Sequence, residues 1–160
     1  MVLKRLESRL CLLLLLLLLG LVLLVVSVQI PPNLTPSQWF AIQHLYNKAY
    51  PRCNAAMRVV NSYTGRCKNR NTFLYTSFIG VVHVCANPNT ACNTGHTNCH
   101  NSSSRVSITY CNLTTPAKNY TQCRYQMTGG MKFYRVACNN RTPQDNTTYP
   151  VVPVHLDGIF

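Results

Sequence analysis

Eight cysteines between positions 53 and 138 constrain this chain more than any other feature. They are Cys53, Cys67, Cys85, Cys92, Cys99, Cys111, Cys123 and Cys138. The ninth, Cys11, sits apart inside a Leu-rich run. An even count in a short secreted domain reads as four disulfides, for which sequence alone leaves about 105 pairings open. A domain of roughly 130 residues can bury only a modest core, so crosslinks carry much of its stability.

The amino-terminal segment supplies the oxidising compartment that such crosslinks need. Lys4, Arg5 and Arg9 precede a Leu-rich run, and small Ser27, with Val25 two positions before it, suits signal peptidase. The pattern predicts a signal peptide over 1–29, cleaved between Ser27 and Ile30, and a secreted domain over 30–160. The apolar run, of about 18 or more residues, is also long enough for a membrane span, so a retained anchor is the alternative. Six Asn-X-Ser/Thr sequons, at Asn33, Asn101, Asn112, Asn119, Asn140 and Asn146, fit the same secretory route and mark candidate exposed loops.

Charge narrows the partners. Lys and Arg total 15 against three acids, a formal +12. Without Lys4, Arg5, Glu7 and Arg9 the domain keeps about +10. A field of that sign favours polyanions: nucleic acid, anionic glycans or anionic membranes.

The early part of the chain reads as helical and the later part as strands. Thr35-Pro36-Ser37-Gln38 predicts a helix start, with Thr35 as N-cap, Pro36 in the first turn and Gln38 closing a capping box. Phe40, Gln43 and His44 then share a face. A second helix is predicted over Cys53–Ser62, with Ala56, Met57 and Val60 inward, and a third over 79–84. Strands are predicted over 71–76, 105–113, 119–127, 131–138 and 149–156, with Gly129-Gly130 and Asn139-Asn140 as turns. Helices first and strands later argue an α+β domain with an antiparallel sheet.

His44, Lys68 and His155 are the residues that could carry chemistry. Two imidazoles can take and give a proton, and an ammonium can stabilise charge building on phosphorus. Lys68 follows Cys67, so a disulfide would pin its backbone. His155 and Asp157 alternate on a predicted strand and would leave one face, Asp157 holding one imidazole nitrogen, while Val154 and Leu156 point into the core. Thr72 offers an amide and a hydroxyl that suit the edge of a pyrimidine ring. Taken singly, each residue reads as an ordinary surface or core-edge side chain; the set carries the argument. His83 lies in an apolar run and is expected in the core or an interface. His96 to His100 has metal-like spacing, but a disulfide loop from Cys92 to Cys99 is the better reading in an oxidising compartment. The sequence has no phosphate-cradling Gly-rich loop, no glycosidase-type carboxylate pair and no acidic cluster for two magnesium ions, so no metal or cofactor is implied.

These motifs resemble the pancreatic-type ribonucleases, and most closely their eosinophil branch. The resemblance rests on Gln38-Trp39-Phe40 through Gln43-His44, Cys67-Lys68-Asn69 with Asn71-Thr72-Phe73, Cys111-Asn112-Leu113, Cys123-Arg124-Tyr125, and the run from Tyr149 to Asp157. It covers the chain from Pro31 to Phe160. It implies a V-shaped antiparallel sheet with three helices and disulfides Cys53–Cys111, Cys67–Cys123, Cys85–Cys138 and Cys92–Cys99. It implies His44 as general base, His155 as general acid, and Lys68 with Gln43 as the phosphorane stabilisers. Gln43, Asn71, Thr72, Asn98, Leu156 and Asp157 would contact substrate, Thr72 selecting a pyrimidine and Asn98 favouring a purine on the 3′ side. A monomer, storage in granules, and capture by a cytosolic ribonuclease inhibitor follow from the same resemblance. Trp39 departs from the pancreatic pattern, which has a phosphate-binding lysine there.

Two functions of different classes are therefore expected. One is a secreted, pyrimidine-preferring endoribonuclease of host defence, with RNA as partner. The other is a cationic protein that binds anionic glycans or microbial membranes, with toxicity independent of catalysis. Arg52, Arg58, Arg66 and Arg70 favour the second; the lack of a long basic amphipathic helix does not. A growth-factor-like disulfide module would need none of His44, Lys68 and His155 together.

Overall fold

A computed structural model describes residues 2–26, 30–46 and 52–160. The chain divides into two compact units, Met1–Ile30 and Pro31–Phe160. The first is helix α1, Val2–Val26. Among the described residues, no helix is long and apolar enough to cross a membrane. The expected cleavage site falls at 27–29, outside the described residues.

The second unit contains helices α2 (Pro36–His44), α3 (Cys53–Ser62) and α4 (Phe78–Val84), then a short 3₁₀ turn at Tyr120–Gln122. Its strands are β1 (Arg70–Leu74), β2 (Asn89–Thr90), β3 (Cys99–Asn101), β4 (Val106–Thr115), β5 (Arg124–Lys132), β6 (Tyr134–Asn140) and β7 (Val151–Ile159). They form two antiparallel sheets, ordered β1-β4-β5 and β2-β3-β6-β7. This is the α+β architecture that the sequence led us to expect.

Helix α2 begins as its capping box requires. Thr35 Oγ1 accepts the Gln38 N–H at 3.0 Å, and Gln38 Oε1 accepts the Thr35 N–H at 2.9 Å. Thr35 also donates to Asp145, whose second carboxylate oxygen accepts the Thr142 N–H at 2.8 Å. The start of α2 is thus tied to the loop before β7. Phe40 then plugs a core with Leu74, Val81, Ile108 and Val136. A second core gathers Met57, Val60, Phe73 and Tyr125 under α3.

The four disulfides are Cys53–Cys111, Cys67–Cys123, Cys85–Cys138 and Cys92–Cys99, the pairing that the family resemblance implied. The first two fasten α3 and the segment before β1 to the β4–β5 ribbon. The third fastens α4 to β6.

Several local expectations are corrected. Gly129 and Gly130 are not a turn but continue β5, opposite Thr109 and Ile108. A Cβ at Gly129 would lie 3.2 Å from the Ile108 carbonyl oxygen, so the glycine serves close strand approach. The chain breaks instead at Phe133, between β5 and β6, and Asn139-Asn140 ends β6 rather than forming a turn. Residues 120–122 are 3₁₀, with Asn119 Oδ1 capping the Thr121 N–H at 3.0 Å. His83 is exposed, not in the core; α4 turns Val81, Val82 and Val84 inward and leaves His83 on the opposite side. The sequons at Asn33, Asn119, Asn140 and Asn146 are exposed, whereas Asn101 and Asn112 lie half-buried within strands.

Loop closure orders the disulfides by contribution. Cys85–Cys138 spans 53 residues and Cys92–Cys99 spans seven. Replacing the first pair with alanines is expected to cost about 4 kcal/mol and the second about 2–3 kcal/mol. Denaturant melts of the two double variants check the order; equal losses would show that strand packing, not loop closure, sets it.

Candidate active site

The ammonium of Lys68 is held by two amide oxygens. Lys68 Nζ donates to Gln43 Oε1 and to Asn71 Oδ1, each at 2.8 Å. Asn71 Nδ2 in turn donates to the Gln43 carbonyl at 2.7 Å, which locks α2 to β1. An ammonium has three donors, so one remains to face a ligand. Partial burial pulls the Lys68 pKa down to about 8, which leaves it cationic at neutral pH.

The backbone of Lys68 is fixed just as firmly. Its N–H donates to Asn61 Oδ1 at 3.0 Å, and its carbonyl accepts the Tyr125 hydroxyl at 2.6 Å. Asn61 Nδ2 donates to the same Tyr125 oxygen at 3.0 Å. Asn61 and Tyr125 therefore hold the two peptide groups flanking the Lys68 Cα, next to the Cys67–Cys123 crosslink. The sequence reading gave neither residue a role; Tyr125 entered only within the Cys123-Arg124-Tyr125 motif. The available signal was Asn61 itself: a polar side chain on the α3 face that buries Met57 and Val60 needs a partner.

His44 ends α2, its ring 5.5 Å from that of Phe40 one turn back. Its Nδ1 lies 2.8 Å from the Thr72 carbonyl oxygen. A carbonyl only accepts, so Nδ1 carries the proton and Nε2 keeps its lone pair. Burial lowers the His44 pKa to about 3, with the Lys68 charge adding to the effect; the Thr72 carbonyl opposes it, and His155 contributes a smaller lowering. His44 is thus a neutral imidazole with a basic nitrogen, within electrostatic reach of both Lys68 and His155.

Strand β1 is the edge of its sheet, and its hydrogen-bonding alternation exposes Thr72. Asn69 accepts from Leu113, and Tyr75 donates to Ser107, so the odd-numbered residues face β4. The even-numbered ones face the open edge. There the Leu74 carbonyl accepts the Tyr46 N–H at 3.1 Å, and the Thr72 carbonyl holds His44. The Thr72 N–H points to the same edge, beside the histidine.

His155 is exposed on β7, a strand with two register shifts. The ladder pairs Pro153 with Cys138, His155 with Ala137, Leu156 with Val136 and Gly158 with Arg135, so Val154 and Asp157 are extra residues. Bulges of this kind re-aim side chains. Val154 packs near the Cys92–Cys99 disulfide, while Leu156 packs on the Phe40 core.

The same bulge corrects the expected contact between Asp157 and His155. Both Asp157 carboxylate oxygens accept the Asn93 N–H at 3.1 Å, and one lies 3.7 Å from Arg135 Nη1. Its side chain is only 1% exposed. Asp157 therefore anchors the Cys92–Cys99 loop. Although its carboxylate lies near Cys92 and Cys99, those sulfurs are joined to each other and are not metal ligands. Asn71, expected to contact substrate, is 5% exposed and spends its polar atoms on Lys68 and Gln43. Asn98 stays half-exposed and donates to Asn139 Oδ1 at 2.9 Å and to the Cys138 carbonyl at 3.2 Å.

Elsewhere a concavity of about 620 Å³ is lined by Arg52, Arg58, Arg124, Tyr125 and Met127. It contains none of the three candidate catalytic residues, which lie at the end of α2, just before β1 and on β7.

A family model described as pancreatic ribonuclease matches residues 35–157. The chain is 65% identical over 161 residues to eosinophil cationic protein of Rattus norvegicus, with all of both chains covered. It is 63% identical over 161 residues to Ribonuclease 2B of Mus musculus, again with full coverage of both. It is 62% identical over 158 residues to the non-secretory ribonuclease of Mus musculus, covering 98% of each.

Two measurements probe this arrangement. Tyr125→Phe leaves the Lys68 carbonyl and an Asn61 N–H without their partner, and is expected to cost about 1–3 kcal/mol in a denaturant melt; an unchanged midpoint would contradict the clamp. In a proton NMR titration His44 should titrate below 6.5, and Lys68→Met should raise its midpoint while leaving it below 6.5, because burial is the larger cause. The unfolded chain then binds that proton first, so His44 removes stability as pH falls from 6.5 toward about 3.

Proposed function

We propose that this chain, which belongs to the pancreatic ribonuclease family and is an endoribonuclease, cuts single-stranded RNA after pyrimidines by acid–base chemistry between two histidines. The observation that carries the reading is a neutral His44 with its lone pair on Nε2, next to an ammonium whose partners among the described residues are two amide oxygens.

In this mechanism His44 Nε2 takes the proton of the ribose 2′-hydroxyl, and the 2′-oxygen attacks phosphorus. Negative charge builds on the nonbridging oxygens of the phosphorane. The remaining Lys68 N–H and the amide donors of Gln43 stabilise it. His155 gives its proton to the departing 5′-oxygen, leaving a 2′,3′-cyclic phosphate. Water later opens that ring, with the histidine roles reversed. Base, acid and charge stabiliser are all side chains, so the steps need no metal. DNA has no 2′-hydroxyl nucleophile, so it binds without being cut.

Substrate choice follows from the β1 edge. The Thr72 N–H can donate to a pyrimidine carbonyl, while its hydroxyl can donate or accept at the adjacent ring position, as uracil and cytosine require. Asn98 serves a purine on the 3′ side. Leu156, packed at the cleft floor, supplies an apolar surface for the base, and Asp157 acts by anchoring its neighbours. The protein enters the secretory pathway through its amino-terminal segment, loses it between Ser27 and Ile30, and acts extracellularly as a monomer in host defence.

A second reading, binding to anionic glycans or membranes without catalysis, is favoured by one observation. The concavity at the start of α3 brings Arg52, Arg58 and Arg124 together, while Asp145 and Asp157, the two acids of this unit, are engaged elsewhere. Both activities can reside on one molecule.

The assay is release of cyclic phosphate from a pyrimidine–purine dinucleotide. His155→Ala is expected to lower turnover about 10²–10⁴-fold, and Lys68→Met about 10²–10³-fold. Turnover that survives His155→Ala would sink the mechanism. Bacterial killing retained in that variant would assign toxicity to the second reading.

A further inference from the structure

Four side chains form a cation–aromatic stack, two adjacent rings flanked by two guanidiniums, that the chemistry above does not use. The Phe133 and Phe160 rings stack with centroids 5.9 Å apart and 22° between planes. The Arg105 guanidinium lies 5.3 Å from the Phe133 centroid, and that of Arg135 lies 5.6 Å from the Phe160 centroid. The stack is built on a rigid frame. Phe133 and Phe160 exchange two backbone hydrogen bonds, at 2.9 and 3.0 Å. Arg135 Nε donates to Asn101 Oδ1 at 2.9 Å, and its Nη1 faces Asp157.

Core packing does not account for this cluster. Phe160 is 50% exposed, and Arg105 and neighbouring Lys132 are exposed. None of the four belongs to a buried core cluster. An aromatic ring left half in water beside a cation costs solubility and buries little. The same combination suits single-stranded RNA: ring faces and guanidinium planes stack on bases, and positive charge meets phosphates. The concavity at α3 has the charge but not the stacking surface, since its one ring, Tyr125, is 9% exposed.

Position agrees with chemistry. Phe160 follows His155 by five residues at the end of β7, about 16 Å along an extended chain. RNA whose scissile phosphate lies at His155 reaches the stack within a few nucleotides. We propose that Arg105, Phe133, Phe160 and Arg135 form a stacking subsite for an unpaired base of the RNA strand outside the catalytic cleft. This rests on the reading of RNA as substrate. The subsite accepts any base, because every base has a π-face, so it adds affinity for longer strands without adding sequence preference.

The test is binding rather than turnover. Fluorescence anisotropy is measured with a non-cleavable 2′-deoxy oligonucleotide of about eight nucleotides and with the matching dinucleotide. The double variant Phe160→Leu with Arg105→Lys keeps net charge and apolar volume but removes one ring and one planar cation. It should bind the longer strand about fivefold to tenfold more weakly, bind the dinucleotide as before, and keep the salt dependence of the parent. Phe160→Trp, which enlarges the exposed ring, should bind the longer strand more tightly. Equal affinity of parent and both variants for the longer strand overturns the subsite, as does an equal loss on both ligands. Weaker binding of the longer strand by a protein that does not cleave RNA would support the subsite and remove the catalytic reading. Normal cleavage with unchanged long-strand affinity would do the reverse.

Discussion

A lysine ammonium without a carboxylate partner is the feature on which the rest of this structure depends. Lys68 is half-buried, and among the described residues its ammonium donates to the side-chain oxygens of Gln43 and Asn71 alone. A carboxylate there would neutralise the cation and compete with any incoming anion. Amide oxygens orient it without cancelling its charge, so its attraction for a developing negative charge is kept in reserve. Burial makes this arrangement costly, and the fold offsets the cost by fixing everything around it. The Cys67–Cys123 bridge, Asn61 and Tyr125 hold the backbone; Asn71 joins the side chain to α2.

The few acids of the domain are used accordingly. Asp145 ties the first turn of α2, through Thr35, to the loop before β7, and that helix delivers Gln43 and His44. Asp157 holds the Cys92–Cys99 loop and Arg135. Both carboxylates act as structural anchors. The chain can therefore keep a large positive charge over its surface while its negative charges define geometry. Uncompensated charge of this kind destabilises a compact state by self-repulsion, which gives the long-span disulfides their importance.

Local rules made much of this legible in sequence. The capping box at Thr35 fixed the start of α2, and the apolar spacing of Ala56, Met57 and Val60 located α3 at its observed bounds. Parity gave four crosslinks, but the pairing needed the family resemblance, because cysteine spacing does not encode partners. The candidate site residues were legible as chemical types. Their division of labour was not, because it depends on long-range packing. Asn71 looked like a substrate contact until its burial against Gln43 and Lys68 was seen. Asp157 looked like the partner of His155 because a regular strand puts residues two apart on one face; the extra residues in β7 break that alternation. Gly129-Gly130 carried a turn signal, yet glycine also suits close strand approach, and sequence cannot tell the two uses apart.

On the proposed mechanism, one cleft must keep one imidazole neutral and offer the other a proton, within the same positive field. Solvent access separates them. His44 is half-buried between α2 and β1, and its hydrogen bond to a carbonyl does not overcome desolvation and the nearby lysine, so the ring stays neutral. His155 stands exposed on a bulged strand, open to substrate and water. The bulge turns Asp157 toward Asn93 and Arg135, so its carboxylate does not occupy the imidazole, which is left free to meet the departing oxygen. Basic surface and sparse acids are then parts of one solution: charge draws in the polyanion, and local burial decides which histidine acts first.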